Sequence, residues 1–201
     1  MSGIVGSYFN IRGSGVVAKL GTDGQLFTST GAGLKQGFED APGGGITVAQ
    51  QFRLAAEQAG SASTGTVLEN WEENDTDYQA LGSAFSQSSG VFSCDTTGIY
   101  LCHWDMIIYG ASSGDAYDPN IQISVNSGTN YYIRSRTWNH VDSGQTKMSS
   151  GQTFIFDVAN TSTFRLYFAQ SETNSIHSGT NIMGATDQTW THITFVRLGD
   201  T

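Results

Sequence analysis

From Val67 onward the chain is a series of short apolar runs separated by turn residues, and that pattern constrains the fold more than any other feature. The runs cover 67–71, 78–81, 91–94, 99–109, 121–125, 131–138, 153–158, 164–169 and 191–198. They are rich in β-branched and aromatic residues, and none carries a convincing helical period. Strands recurring at this spacing, with Gly, Asn, Asp and Ser between them, predict an all-β sandwich or barrel. Gly supplies 25 of the 201 residues and Pro two, with no strict period, which fits a turn-rich domain rather than collagen or a linker.

The runs also have facing. Ile121, Ile123 and Val125 alternate with Gln122 and Ser124, and Phe164, Leu166 and Phe168 alternate with Arg165 and Tyr167, so one face of each goes inward. The run at 99–109 exceeds the usual five or six residues and should cross a sandwich from end to end. Asp95-Thr96-Thr97-Gly98 predicts a hairpin turn between 91–94 and that long strand, and Asn126-Ser127-Gly128-Thr129-Asn130 predicts another. Cys94 and Cys102 flank the first turn and read as free buried thiols, with a bonded pair as the alternative if the register lets them face each other. Residues 50–58 suit either helix or strand by composition; the loop-like 60–65 that follows favours extended structure.

Composition divides the chain into an arm at 1–50, a linker at 51–66 and a head at 67–201. The arm's short apolar pieces, interrupted by Gly, cannot bury both faces alone. They make Tyr8, Phe9, Ile11, Leu20, Leu26 and Phe27 candidates for anchoring to a partner or larger assembly. The net charge is −9, and no Lys or Arg occurs between Leu54 and Ile133 while ten Asp or Glu do. Such a surface repels phosphate backbones and argues against nucleic acid. No secretion signal and no membrane-inserting run is expected.

The run Gly90-Val91-Phe92-Ser93-Cys94-Asp95-Thr96-Thr97-Gly98-Ile99-Tyr100-Leu101 resembles the strand-turn-strand signature of the complement-q and tumour-necrosis-factor superfamily. Met148-Ser149-Ser150-Gly151-Gln152-Thr153-Phe154 is similar to a later step of that family, and 191–198 to its apolar closing strand. The resemblance spans about 67–199 and implies a jelly-roll sandwich of about ten antiparallel strands that assembles as a homotrimer. It makes Tyr100, Trp190 and Phe195 candidates for the trimer interface. Gln152 stands where the family has Asp, and Cys102 where it has an aromatic residue. These departures remove any expectation of immune function. Residues 21–33, followed by Gly37-Phe38-Glu39-Asp40, resemble the Gly-rich segments along bacteriophage fibre proteins.

Two motif matches are rejected on context. Gly13-Ser14-Gly15-Val16-Val17-Ala18 fits a dinucleotide fingerprint, but Gly21 and Gly24 cut short the helix it needs. Gly110-Ala111-Ser112-Ser113-Gly114 fits a nucleophile elbow, but a loop containing Pro119 follows it rather than a helix. His103, His140, His177 and His192 lack zinc-motif spacing, and His103 beside Trp104 reads as a wall residue of a core strand. Asp75 and Asp77, in an acidic stretch with Glu69, Glu72 and Glu73, are calcium candidates, with a solvated acidic loop as the alternative. No other cofactor is expected.

The recognition candidates lie within residues 131–140. Tyr132, Arg134, Arg136, Trp138 and His140 combine the clustered Arg pair with aromatic rings, chemistry that stacks on sugars and dominates interfaces. An ordinary strand at a subunit interface is the alternative. The leading reading is a non-enzymatic phage protein on the virion surface, a trimeric short fibre or spike. Its arm would bind capsid or tail proteins and its knob a host glycan or protein. Capsid decoration comes second, and a polysaccharide-acting enzyme or free lectin third.

Overall fold

The computed structural model describes residues 25–29, 36–40, 45–59, 66–75, 77–109, 116–140, 147–171 and 180–201. Contacts divide the chain into two units, Met1–Gly45 and Ile46–Thr201. In the first, β1 (Gln25–Ser29) pairs antiparallel with β2 (Gln36–Asp40), placing Leu26 opposite Glu39 and Phe27 opposite Phe38. The arm candidates Leu26 and Phe27 lie on β1. Tyr8, Phe9, Ile11 and Leu20 lie outside the described residues, as do both rejected motifs and His177.

The second unit contains β3 (Ala49–Leu54), β4 (Gln58–Ala59), β5 (Thr66–Val67), β6 (Trp71–Glu73), β7 (Phe85–Ser88), β8 (Val91–Cys94), β9 (Gly98–Tyr109), β10 (Ala116–Ser124), β11 (Tyr132–Arg136), β12 (Asn139–His140), β13 (Lys147–Val158), β14 (Arg165–Ser171), β15 (Asn181–Ile182) and β16 (His192–Gly199). One sheet runs β11-β10-β14-β8-β7, with β12 on β10 and β5 on β14. The other runs β4-β15-β9-β16-β3-β6, with β13 along the whole of β9. All these pairings are antiparallel. No helix among the described residues is long and apolar enough to cross a membrane.

Alternation along β9 organises the core. Tyr100, Cys102, Trp104, Met106 and Ile108 point inward and are fully buried, while Ile99, Leu101, His103, Asp105 and Ile107 face outward. As expected, β9 is long, at 12 residues. Across the sandwich it meets Phe92, Leu166, Phe168, Ile121 and Ile123. Aromatic rings fill the middle layer: Phe85 stacks on Phe195 at 3.9 Å, and Trp104 and Phe92 set their rings against Phe168 at 5.1 and 5.6 Å. Packing of this kind makes Phe-to-Ala changes cost about 3–5 kcal/mol each. Val125, predicted to follow Ile121 and Ile123 inward, is 66% exposed because β10 ends at Ser124.

The turn reading at 95–98 is corrected, while the reading of the two cysteines holds. Asp95-Thr96-Thr97-Gly98 is not a hairpin turn: β8 and β9 belong to opposite sheets, so the segment carries the chain across the sandwich. The tight hairpin lies one step earlier, where Ser89 and Gly90, at φ 48° and 78°, join β7 to β8. Positive φ at both positions matches the turn twist that antiparallel strands favour. Cys94 and Cys102 are free and buried on different sheets, and burial pushes both thiols up.

The expected linker at 51–66 begins instead as a core strand, with β3 paired along β16 and β4 on β15. The extended reading of 50–58 holds for β3 and β4, but the polar side chain of Gln50 hid the burial of β3. Gln50 is fully buried, and its Oε1 accepts from the Ala84 and Phe85 amides at 2.7 and 2.8 Å, pinning the entry to β7. Residues 78–81 form no strand; Leu81 alone bridges to Ala49.

Candidate recognition surface

The loop joining β10 to β11 forms as its residues dictate. Ser127 and Gly128 take φ 60° and 84°. The Asn126 Oδ1 accepts from Ser124 Oγ at 2.7 Å and from the Asn130 amide at 3.0 Å, and the Gly128 amide donates to Ser124 Oγ at 3.0 Å. Asn and Ser side chains here replace backbone partners, so the loop is fixed from within.

This turn returns the chain as β11, the edge strand of its sheet. Tyr132 sits opposite Ile123 and Arg136 opposite Asn120, but the register shifts between Ile121 and Gln122, leaving Arg134 as the extra residue. A bulge increases twist and re-aims side chains. Tyr132, Ile133 and Arg134 are consecutively exposed, and Trp138 is 58% exposed.

The side chains then sort into two stacked pairs. The Arg134 guanidinium lies 5.1 Å from the Tyr132 ring centre, and that of Arg136 lies 4.8 Å from Trp138. Arg136 is also fixed from behind: its Nε donates to Asp118 Oδ1 at 2.9 Å and its Nη2 to Oδ2. Asp118 is wholly buried, and its hydrogen bonds raise the Arg136 pKa and hold its charge. The remaining residues tie the strand to β13 of the other sheet, through Ser135 Oγ donating to Gln152 Oε1 at 2.6 Å and Thr137 Oγ1 meeting Ser150 Oγ at 2.8 Å. His140 lies apart on β12, opposite Ala116. The result is a pre-oriented row of two cations and two rings on a braced edge, suited to flat, hydrogen-bonding partners.

The acidic stretch serves a different purpose. Arg53 of β3 is buried, with Nε donating to Glu72 Oε1 at 2.7 Å and Nη2 to Asp75 Oδ1 at 2.6 Å. The hydrogen bond to Glu72 leads in raising its pKa. Asp75 is thus engaged with Arg53, while Asp77 adopts φ 52° in the loop beyond. Neither belongs to the cluster of three potential metal ligands found among the described residues, which is His103, Asp105 and His192.

That cluster lies on the outward face of the β13-β9-β16-β3 sheet, and its position corrects the reading of His103. The wall residue is Trp104; His103 faces out and is partly exposed. The signal was the His-x-Asp alternation, which in a strand sends both side chains to one face. The same parity corrects the trimer candidates. Tyr100 and Phe195 are fully buried in the core and cannot line an interface, whereas their neighbours Leu101 and Val196 face out beside Ile155 and are register partners. Trp190 is partly exposed beneath Lys147, whose Nζ lies 5.3 Å from its ring centre.

No family profile and no curated protein matches the chain. Among solved structures it is similar to murine APRIL at pH 5.0, with a TM-score of 0.56 and 10% identity over 75% of this chain and 98% of that one. Eiger TNF from S. frugiperda gives a TM-score of 0.55 and 12% identity over 78% of this chain and 95% of its own. The PRD1 vertex protein P5 is 14% identical over 78% of this chain and 100% of its own, with a TM-score of 0.48. With its two antiparallel sheets and this likeness, the chain has the tumour-necrosis-factor-like jelly-roll fold.

Proposed function

We propose that the protein is a non-enzymatic bacteriophage virion surface protein, a homotrimeric short fibre or spike whose jelly-roll knob contacts the host. The observation that carries this reading is the exposed edge at β11, where Arg134 stacks with Tyr132 and Arg136 with Trp138 over a buried Asp118. A guanidinium held by a buried carboxylate meets a partner without first losing side-chain freedom, which lowers the entropic cost of binding. The partner class is a host glycan or a polar protein surface; the charge of −9 disfavours nucleic acid. The reading requires no cofactor.

Two further features support it. The Gly-rich segment at 21–33 resembles phage fibre sequences and belongs to a unit separate from the sandwich, as an attachment arm for capsid or tail proteins requires. The outward row of Ile155, Leu101 and Val196 offers apolar area for self-association, with Ile155 55% exposed. Three copies of a weak site raise avidity by roughly 10²–10⁴. Val196→Asp should shift the assembly from trimer to monomer in sedimentation velocity; a wild-type monomer removes the trimer from the proposal. Immunogold labelling of intact particles from a lysate containing the protein tests virion membership. Label at the tail is expected, and label at symmetry-related points over the head would replace host attachment with capsid decoration.

A further inference from the structure

We infer that His103, Asp105 and His192 form a binding site for a divalent transition-metal ion of the zinc class. This inference is independent of the recognition reading, since it concerns the other sheet. Three neighbouring strands build the cluster. His103 and Asp105 stand at alternate positions of β9; His192 of β16 is the register partner of Asp105, and Gly151 of β13 flanks it on the other side.

The distances suit one ion. His103 Nε2 lies 3.1 Å and His192 Nε2 4.0 Å from the same Asp105 Oδ2, and the ligand atoms all fall within 4.8 Å of one another. Tetrahedral zinc, with bonds near 2.0–2.2 Å, requires ligand atoms about 3.3 Å apart, so shifts of well under an ångström for the Asp105 pairs, together with closure of the two rings, would complete the geometry. Two imidazole nitrogens and one carboxylate oxygen select zinc, cobalt, nickel or copper over calcium and magnesium, which prefer all-oxygen shells.

The surrounding contacts orient the ring nitrogens. His192 Nδ1 lies 3.2 Å from the Trp190 carbonyl, which can only accept, so Nδ1 carries the hydrogen and a neutral ring turns its Nε2 lone pair toward Asp105. Two acceptors then face each other across 4.0 Å, an arrangement that a cation between them resolves. His103 Nδ1 lies 3.0 Å from Thr153 Oγ1, which can accept its hydrogen and free Nε2 for a metal. An outer acceptor on each ring is the usual support of metal-bound histidine. Asp105 is placed by the lack of a side chain at Gly151, where a Cβ would collide with its Oδ1. Among the described residues, Arg53 is the register partner of His192 and is already matched by Glu72 and Asp75.

His103, Asp105 and His192 are 41%, 34% and 20% exposed, so an ion can enter from solvent. With three protein ligands, a fourth position remains for water or an outside oxygen donor.

The test is calorimetric titration of zinc chloride into untagged full-length protein stripped by chelator, with magnesium chloride as the comparison. One zinc per chain and no magnesium heat are expected. Asp105→Asn and His192→Ala should each weaken zinc binding at least about a hundredfold, and Thr153→Val by about tenfold through the outer contact. Absence of zinc heat, or binding unchanged in the Asp105→Asn/His192→Ala double variant, overturns the site. Should those variants fail to fold, the wild type decides. Its unfolding temperature should rise with zinc and return on adding chelator, and no shift overturns the proposal.

Discussion

Arg53 and Arg136 hold their carboxylates in opposite senses. At β3 the cation is buried, 2% exposed, and one of its anions, Asp75, stands 74% exposed. At β11 the anion Asp118 is fully buried and the cation is 40% exposed. The first arrangement hides a guanidinium and spends two carboxylates to keep it there. The second hides a carboxylate and leaves a guanidinium in water, stacked on Trp138. Clustered charge thus has two structural uses here, one that neutralises a buried cation and one that leaves a cation exposed at a strand edge.

The largest effect that would sharpen this contrast is Arg53→Ala. It removes a buried side chain and its packing, leaving a cavity beside Glu72, and it should cost about 2–5 kcal/mol in urea unfolding. A loss under about 1 kcal/mol would erase the distinction between the two arginines. Arg136→Ala should cost less, about 1–3 kcal/mol, because water can reach Asp118 through the space vacated; adding Asp118→Asn should restore part of the loss.

The buried thiols give a pH-dependent comparison. Desolvation raises Cys102, and likewise Cys94, above the ordinary value of 9.0. A raised folded value means that the unfolded chain releases its proton first. Stability is therefore fully present below pH 9 and falls as pH rises above it, by up to about 1.4 kcal/mol per unit for each thiol. Cys102→Ala should flatten that alkaline slope, and an unchanged slope would show that the thiol is not desolvated. The smallest stability effect belongs to Arg134→Ala, within about 0.5 kcal/mol, since Arg134 is the exposed extra residue of a bulge. A larger loss would make the bulge a structural device rather than a presenting one.

The sequence makes the strands of the sandwich visible wherever apolar residues alternate, as along β9, β10 and β14. It shows β3 only as extended structure and conceals its burial, because Gln50 and Arg53 occupy buried positions and satisfy themselves through amides and carboxylates far along the chain. It conceals β7, whose Ser86, Gln87 and Ser88 leave Phe85 as the lone inward anchor. Turn chemistry at 95–98 marks a reversal, but residue types do not say whether the next strand pairs with the last or crosses to the other sheet. The interface candidates Tyr100 and Phe195 fail for a parity reason: Tyr100 and Leu101 are both apolar, and only the register reveals which one faces out. In the recognition segment the aromatic and Arg residues were legible, while the bulge, the buried Asp118 and the stacking depend on tertiary pairing. Of the His103, Asp105 and His192 cluster, the His-x-Asp spacing was legible, while His192 comes from a strand distant in sequence that only the register brings beside it.

The most direct test of the account is binding to host cells and to an array of defined glycans, comparing wild type with an Arg134→Ala/Trp138→Ala variant whose unfolding midpoint and oligomeric state match it. The variant is expected to lose at least about tenfold in binding while the fold is unchanged, since each stacked pair loses one member. Equal binding by the two proteins would contradict it and reduce β11 to an ordinary braced edge.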